Sequence, residues 1–224
     1  MRRLDGIRTL IWDCDGTIWK HVEHEAEIVT KELGIPLTER FSNEYFKMIE
    51  NIESHFEHQK VTKTAYIDLI QKCMPILLEN GIKADEFFDE WMMIETSELN
   101  EGARETIEYF YSKGYKNIVL TDMPYVKQVS LLEKYGVLQY IKEVHAGDDN
   151  YLKRHQKSTK RVIENGHEKE YVIIGDSIKN DIAFANNSGI KSIWFNPECK
   201  KNKSEYKPTM QVTSLYEVCR RIKR

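Results

Sequence analysis

"IWDCDGTIWK", residues 11–20, sets two aspartates two positions apart at the end of an apolar run and follows them with Gly16-Thr17. Side chains two apart in extended backbone point the same way, so Asp13 and Asp15 face one volume while Cys14 points back under the sheet. Two like charges held so close raise each other's pKa or require a cation. The run before them, "IRTLIWD" (7–13), has counterparts in "NIVLTD" (117–122), "YVIIGD" (171–176) and "GIKSIWF" (189–195), with "KEVHAG" (142–147) a weaker fifth. Consecutive β-branched and aromatic residues predict strands buried on both faces of a parallel sheet.

Helix-like stretches separate these runs: 102–114, 124–136, 158–166 and 177–189, with Gly114, Gly136, Gly166 and Gly189 at their ends. From residue 99 onward strand and helix alternate, which predicts an α/β fold with a doubly wound, mostly parallel sheet. Residues 20–98 break that rhythm. They carry helical patterns such as "NEYFKMIENIESHF" and "DEFFDEWMMIE" and no convincing strand. The division that follows is a core of residues 1–19 and 99–224 with a helical domain, 20–98, inserted after the first strand. Aromatic and Met residues of the insert, among them Tyr45, Phe56, Phe87, Phe88, Trp91 and Met92, read as its packed core.

Composition excludes several classes. A formal net charge of −3 shows no basic excess for nucleic acid or for an anionic membrane surface. No apolar stretch approaches the length of a membrane span, and no G-x-G-x-x-G or Walker-type loop occurs. Cys14, Cys73, Cys199 and Cys219 form no C-x-x-C, and the N-terminal run turns polar at "DCDG", which reads as a cytoplasmic protein with reduced thiols. The pairs His21/His24 and His55/His58 have a spacing that suits zinc but no third ligand.

In an open parallel sheet, ligands bind outside the carboxyl ends of the strands. Those ends carry Asp13 and Asp15, then Thr121, then Asp176 and Ser177, with Asp181 in the next helix. Four carboxylates converging on one volume suit a hard cation such as Mg²⁺.

In order and spacing, "DCDGT" (13–17), the apolar strand into Thr121, a lysine upstream of the next strand and "GDSIKNDI" (175–182) resemble the four motifs of the haloacid dehalogenase-like (HAD) hydrolases. The insert resembles the C1 type of cap. The resemblance implies a Rossmann-like core and an Mg²⁺-dependent phosphomonoester hydrolase acting on a small phosphorylated metabolite. Asp13 would be the nucleophile and Asp15 the acid and then the base. Thr121 would bind a phosphoryl oxygen, and a lysine would neutralise developing charge. Asp176, with Asp181 as ligand or from the second layer, would hold Mg²⁺ beside the Asp13 carboxylate and the Asp15 main-chain carbonyl.

Lys153, Lys157 and Lys160 compete for the lysine, and the proline usual after it is missing. Lys157 is favoured because it precedes Ser158, a plausible N-cap; Lys153 takes its place if that helix starts a turn earlier. An aspartate at position 15 favours oxygen leaving groups over halide, since halide needs no proton. The tail, 194–218, resembles the closing segment of nucleotidase-like members, which with the aromatic residues of the insert points to nucleoside monophosphates. A phosphosugar mutase, a phosphonatase using one of the insert's lysines, and a catalytically silent phosphate-sensing module stay open.

Overall fold

The computed structural model describes residues 3–148, 150–155, 158 and 162–223. The expected sheet is present and wholly parallel: β1 (Thr9–Trp12), β4 (Lys116–Leu120), β5 (Glu143–His145), β6 (Tyr171–Gly175), β7 (Lys191–Phe195) and β8 (Met210–Val212) run in the order β5-β4-β1-β6-β7-β8. β1 lies between β4 and β6, with Trp12 level with Val119 on one side and Ile174 on the other.

Alternation along β1 explains its uninterrupted apolar run. Leu10 and Trp12 pack on one face with Val119, Val172 and Ile174, while Ile11 packs on the other with Ile118, Leu120 and Ile173. Helices α6 (Ala103–Ser112), α7 (Tyr125–Lys134) and α8 (Ala183–Ser188) connect the strands, and a short α9 (Val218–Arg221) closes the chain. Cys14 continues the Trp12 face into that core, where burial pushes its thiol pKa well up and leaves it unreactive.

Five helices fill the stretch after the first strand: α1 (Glu25–Leu33), α2 (Glu39–His55), α3 (Lys63–Cys73), α4 (Ile76–Glu79) and α5 (Ala84–Met93). The threonines before α2 and α3 cap them, Thr38 accepting from the Phe41 N–H and Thr62 from the Ala65 N–H. These helices bury a cluster of their own, with Phe41, Tyr45, Phe56, Phe87 and Trp91 at its centre.

Three features depart from expectation. The junctions at both ends of the helical segment form an antiparallel ribbon, β2 (Trp19–His21) with β3 (Ser97–Leu99), pairing Trp19 with Leu99 and His21 with Ser97. Neither WKH nor SEL carries the run of consecutive β-branched or aromatic residues that marks the inner strands of the sheet. The edge strand β8 escaped for the same reason. Finally, of the helix expected at 158–166, the described residues 162–166 are not helical, and the Ser158 hydroxyl donates to the Tyr151 and Leu152 carbonyls.

Candidate active site

β1, β4 and β6 end side by side, and each hands a polar residue to the crevice beyond. The Asp13 N–H donates to the Ile174 carbonyl at 3.0 Å, fixing its carboxylate one residue past β1 at 4% exposure. The chain then turns sharply, with the Thr17, Ile18 and Trp19 N–H groups all directed at the Cys14 carbonyl. Gly16 makes this possible with φ of +85°, and a Cβ there would land on the Asp176 carboxylate. The Thr17 hydroxyl donates to Asp13 Oδ2 at 3.0 Å and lies 3.4 Å from Asp176 Oδ1.

After β6 the chain makes one π-helical turn, Ile178–Ile182, before α8. This wider turn is a device of functional sites. It sets Asp181 under the strand end, where the Ser177 N–H donates to its Oδ2 at 2.9 Å. Gly175 leaves the space that Asp181 occupies, since a Cβ would collide with that side chain.

Lys153 reaches this group from the loop before β6. It is 4% exposed and pairs with Asp13 and, at 2.7 Å, with Asp181 Oδ1; its own N–H donates to Asp122 Oδ1 at 2.6 Å. Burial opposes its charge, but Asp13 and Asp181 hold its pKa well above the ordinary lysine value. Lys157 and Lys160 lie outside the described residues, so Lys153 is the lysine that the structure brings to Asp13. The sequence argument for Lys157 rested on Ser158 as an N-cap, whereas the Ser158 hydroxyl donates to the Tyr151 and Leu152 carbonyls.

One ammonium faces three carboxylates. Burial raises the pKa of Asp13 despite Lys153, burial and the Asp13 charge push Asp181 well up, and the same two causes push Asp176 up to about 7. An oxygen from each of Asp13, Asp176 and Asp181 lies within 4.8 Å of the others. An all-oxygen, charge-deficient cluster with its approach cleared by Gly16 fits a hard divalent cation. Asp15 is not in it. Its carboxylate turns the other way, accepting from Trp19 Nε1 at 3.1 Å and Gln128 Nε2 at 3.0 Å. Any part of Asp15 in holding metal falls to its main-chain carbonyl.

Thr121, 1% exposed at the end of β4, accepts from the Met123 N–H at 3.2 Å and lines the same cavity as Asp13. The cavity has a volume of about 290 Å³ and runs from the carboxylates to the helical segment, where His21, Glu25, Ile49, Ile52, Trp91 and Lys127 meet it. A larger groove of about 700 Å³ between α3, α5 and the start of α7 contains none of the site carboxylates. The aromatic residues expected to stack a base are consumed in packing. Only Trp91 lines the cavity, and its ring stacks on Phe87 while its Nε1 donates to the Tyr45 hydroxyl at 3.1 Å.

Sequence reasoning did not find Gln128, Lys127, His21 or Glu25. Gln128 acts across 113 positions and is fully buried, and no local pattern marks such a contact. The spacing of His21 to His24 suits zinc but offers no third ligand, and His21 turns elsewhere. Its Nε2 stands 3.9 Å from Asp15 Oδ1 and its Nδ1 3.7 Å from Glu25 Oε1, and the bond to Glu25 raises its pKa.

Known proteins resemble this chain in sequence and in fold. A family model described as haloacid dehalogenase-like hydrolase matches residues 7–189. HAD-hydrolase YfnB of Bacillus subtilis is 26% identical over 223 residues, 94% of this chain and 93% of its own length. Its crystal structure bound to magnesium covers 96% of this chain and 97% of that one, with a TM-score of 0.72 at 21% identity. Pyrimidine 5'-nucleotidase PynA of Streptococcus pneumoniae is 22% identical over 93% of this chain and 92% of its own. Phosphoglycolate phosphatase of Photobacterium profundum is 26% identical over 83% of this chain and 81% of its own. With motifs at three adjacent strand ends and a loop lysine beside them on a six-stranded parallel sheet, and a family match over most of its length, the chain belongs to the haloacid dehalogenase-like hydrolases.

Proposed function

We propose that this protein is a cytoplasmic, Mg²⁺-dependent phosphomonoester hydrolase that works through a phosphoryl group on Asp13, with residues 20–98 as the cap over the site. The observation that carries the reading is the separation of two carboxylates within one loop: Asp13 in the cation-seeking cluster, Asp15 held apart by Gln128 and Trp19. That is the division of labour phosphoryl transfer needs.

In the first half-reaction an Asp13 oxygen attacks phosphorus, the P–O bond to the alcohol breaks, and the Asp15 carboxylic acid gives its proton to the leaving oxygen. In the second, Asp15 takes a proton from water as that water attacks phosphorus, and the bond to Asp13 breaks to release phosphate. Thr121 donates to a phosphoryl oxygen, and Lys153, rather than Lys157, neutralises charge beside Asp13. A divalent cation held by Asp13, Asp176 and Asp181 supplies further neutralisation of the phosphoryl oxygens when bound.

Asp15→Asn tests the acid role. With p-nitrophenyl phosphate, whose leaving group needs no proton, the variant should still form the phosphoenzyme but hydrolyse it slowly. With an alkyl phosphate the first step should fall by a further factor of about 10² to 10⁴. Equal losses for both esters would argue against the assignment. Free phosphate measured against recovered phosphoester also separates hydrolysis from a mutase reaction.

The metal reading predicts a pH dependence. Asp176 is pushed up to about 7, so below that pH a cation must displace its proton. Affinity for Mg²⁺ should therefore rise between pH 6 and 8, with proton release on binding that fades above pH 8. Calorimetry in buffers of different ionisation enthalpy measures both, and a pH-independent affinity would show that the ligand set is wrong.

A further inference from the structure

Lys127 sits at the start of α7, one residue before the glutamine that holds Asp15. It is 4% exposed and lines the cavity. Its ammonium donates to the Trp91 carbonyl at 3.0 Å and the Ile94 carbonyl at 3.1 Å, where α5 ends, and lies 5.5 Å from the centre of the Trp91 ring. Those partners place an ammonium at a helix C-terminus, which is favourable but supplies no full negative charge in contact with it. Among the described residues no carboxylate forms an ion pair with it.

The two carboxylates nearest this end of the cavity are already engaged. Glu25 accepts from the Tyr45 hydroxyl at 2.7 Å and faces His21, and Asp15 is held by Gln128 and Trp19. Burial lowers the pKa of Lys127 and outweighs the attraction of Asp15, Glu25 and Glu95, none of which stands within ion-pair distance of it. Buried charges are paired, and one that is not, on the wall of a substrate cavity, waits for an anion from the substrate.

Asp15 stands beside the leaving oxygen, so the wall beyond it on the Gln128 side meets the alcohol half of the substrate. Resting on the phosphatase reading, we infer that the substrate is a small phosphomonoester whose alcohol half carries a second anionic group, a carboxylate or another phosphate, which pairs with Lys127. Ile49 and Ile52 of α2 line the same cavity, and their apolar side chains lower the polarity around such a pair. A nucleobase finds neither an open aromatic face nor a charge to match here.

The test compares kcat/KM within pairs of esters that differ only in that group. 3-Phosphoglycerate is set against glycerol 3-phosphate for the carboxylate, propane-1,3-diol bisphosphate against 3-hydroxypropyl phosphate for the phosphate, and uridine 5'-monophosphate stands as the neutral-base control. At least one charged ester should exceed its neutral partner by about tenfold or more, the worth of one charge-assisted hydrogen bond. Lys127→Gln keeps a donor for the α5 carbonyls but removes the charge, and should bring the ratio to within about twofold. Lys127→Arg should retain it. A role confined to capping α5 lowers every substrate alike and leaves the ratio unmoved.

A ratio near one in the unmodified enzyme for both pairs, a ratio that survives Lys127→Gln, or a preference for uridine 5'-monophosphate overturns the inference. Calorimetric binding of the same esters to Asp13→Asn protein, with and without Lys127→Gln, reads the preference without turnover. Charge-selective binding with no phosphate released by the unmodified enzyme would defeat the phosphatase reading alone. Phosphate release without selectivity would defeat this inference alone.

Discussion

Asp13→Asn protein is expected to release no phosphate from any ester, a loss on the order of 10⁴-fold or more, and to form no phosphoenzyme. The amide is a poor nucleophile and carries no charge, while the rest of the site has every reason to stay in place. Thr17 can donate to an amide oxygen as it does to Asp13 Oδ2, and Lys153 keeps its pair with Asp181. The fold should in fact gain from the change in metal-free protein, because it removes one of three carboxylates whose pKa values burial and mutual repulsion raise. The expected pattern is an inactive protein with an unchanged or higher melting temperature without metal, and weaker Mg²⁺ binding. A phosphoryl adduct trapped on any other residue of the unmodified enzyme would end the assignment of Asp13.

How much of this could be read in the chain depends on the reach of each interaction. The strand ends were legible because a strand buried on both faces writes an unbroken apolar run, and the first polar residue after it marks the crevice. That reading picks out Asp13, Thr121 and Asp176, and the structure sets them one residue past the ends of three adjacent strands. Asp181 was expected in the first turns of the helix after Asp176, and the turn that carries it is π-helical. Lys153 was harder. It belongs to no regular element, and its place is fixed by its N–H on Asp122, by the Leu152 side chain packed into the helical cluster, and by two ion pairs, all of them tertiary. Gln128 and Lys127 look like ordinary polar residues of an amphipathic helix. Only the packing of α7 between the sheet and the end of α5 turns both inward.

Lys153→Met separates the stability of the site from its chemistry. The methionine fills a similar volume but leaves Asp13 and Asp181 without their cation, and breaking a buried ion pair from one side costs roughly 3–5 kcal/mol. That cost is not constant with pH. With Lys153 gone, the Asp13, Asp176 and Asp181 carboxylates face only one another, so their folded-state pKa values lie further above their unfolded ones. Carboxylates raised in this way bind protons more tightly in the folded state, so stability falls as pH climbs from the unfolded value toward the folded one. Metal-free Lys153→Met should therefore melt well below the unmodified protein at pH 8, recover much of the difference near pH 5, and recover it at pH 8 when Mg²⁺ is added, since a cation replaces the lost charge. Catalysis should not recover with it: turnover should stay down by about 10² to 10³-fold even in saturating Mg²⁺, because the ammonium beside Asp13 neutralises charge that develops on phosphoryl transfer. Melting curves at two pH values with and without metal, read beside saturated kcat, make the comparison. Lys157→Met and Lys160→Met are the controls, and a larger loss of turnover in either would move the catalytic lysine out of the Asp13–Asp181 pair and away from Lys153.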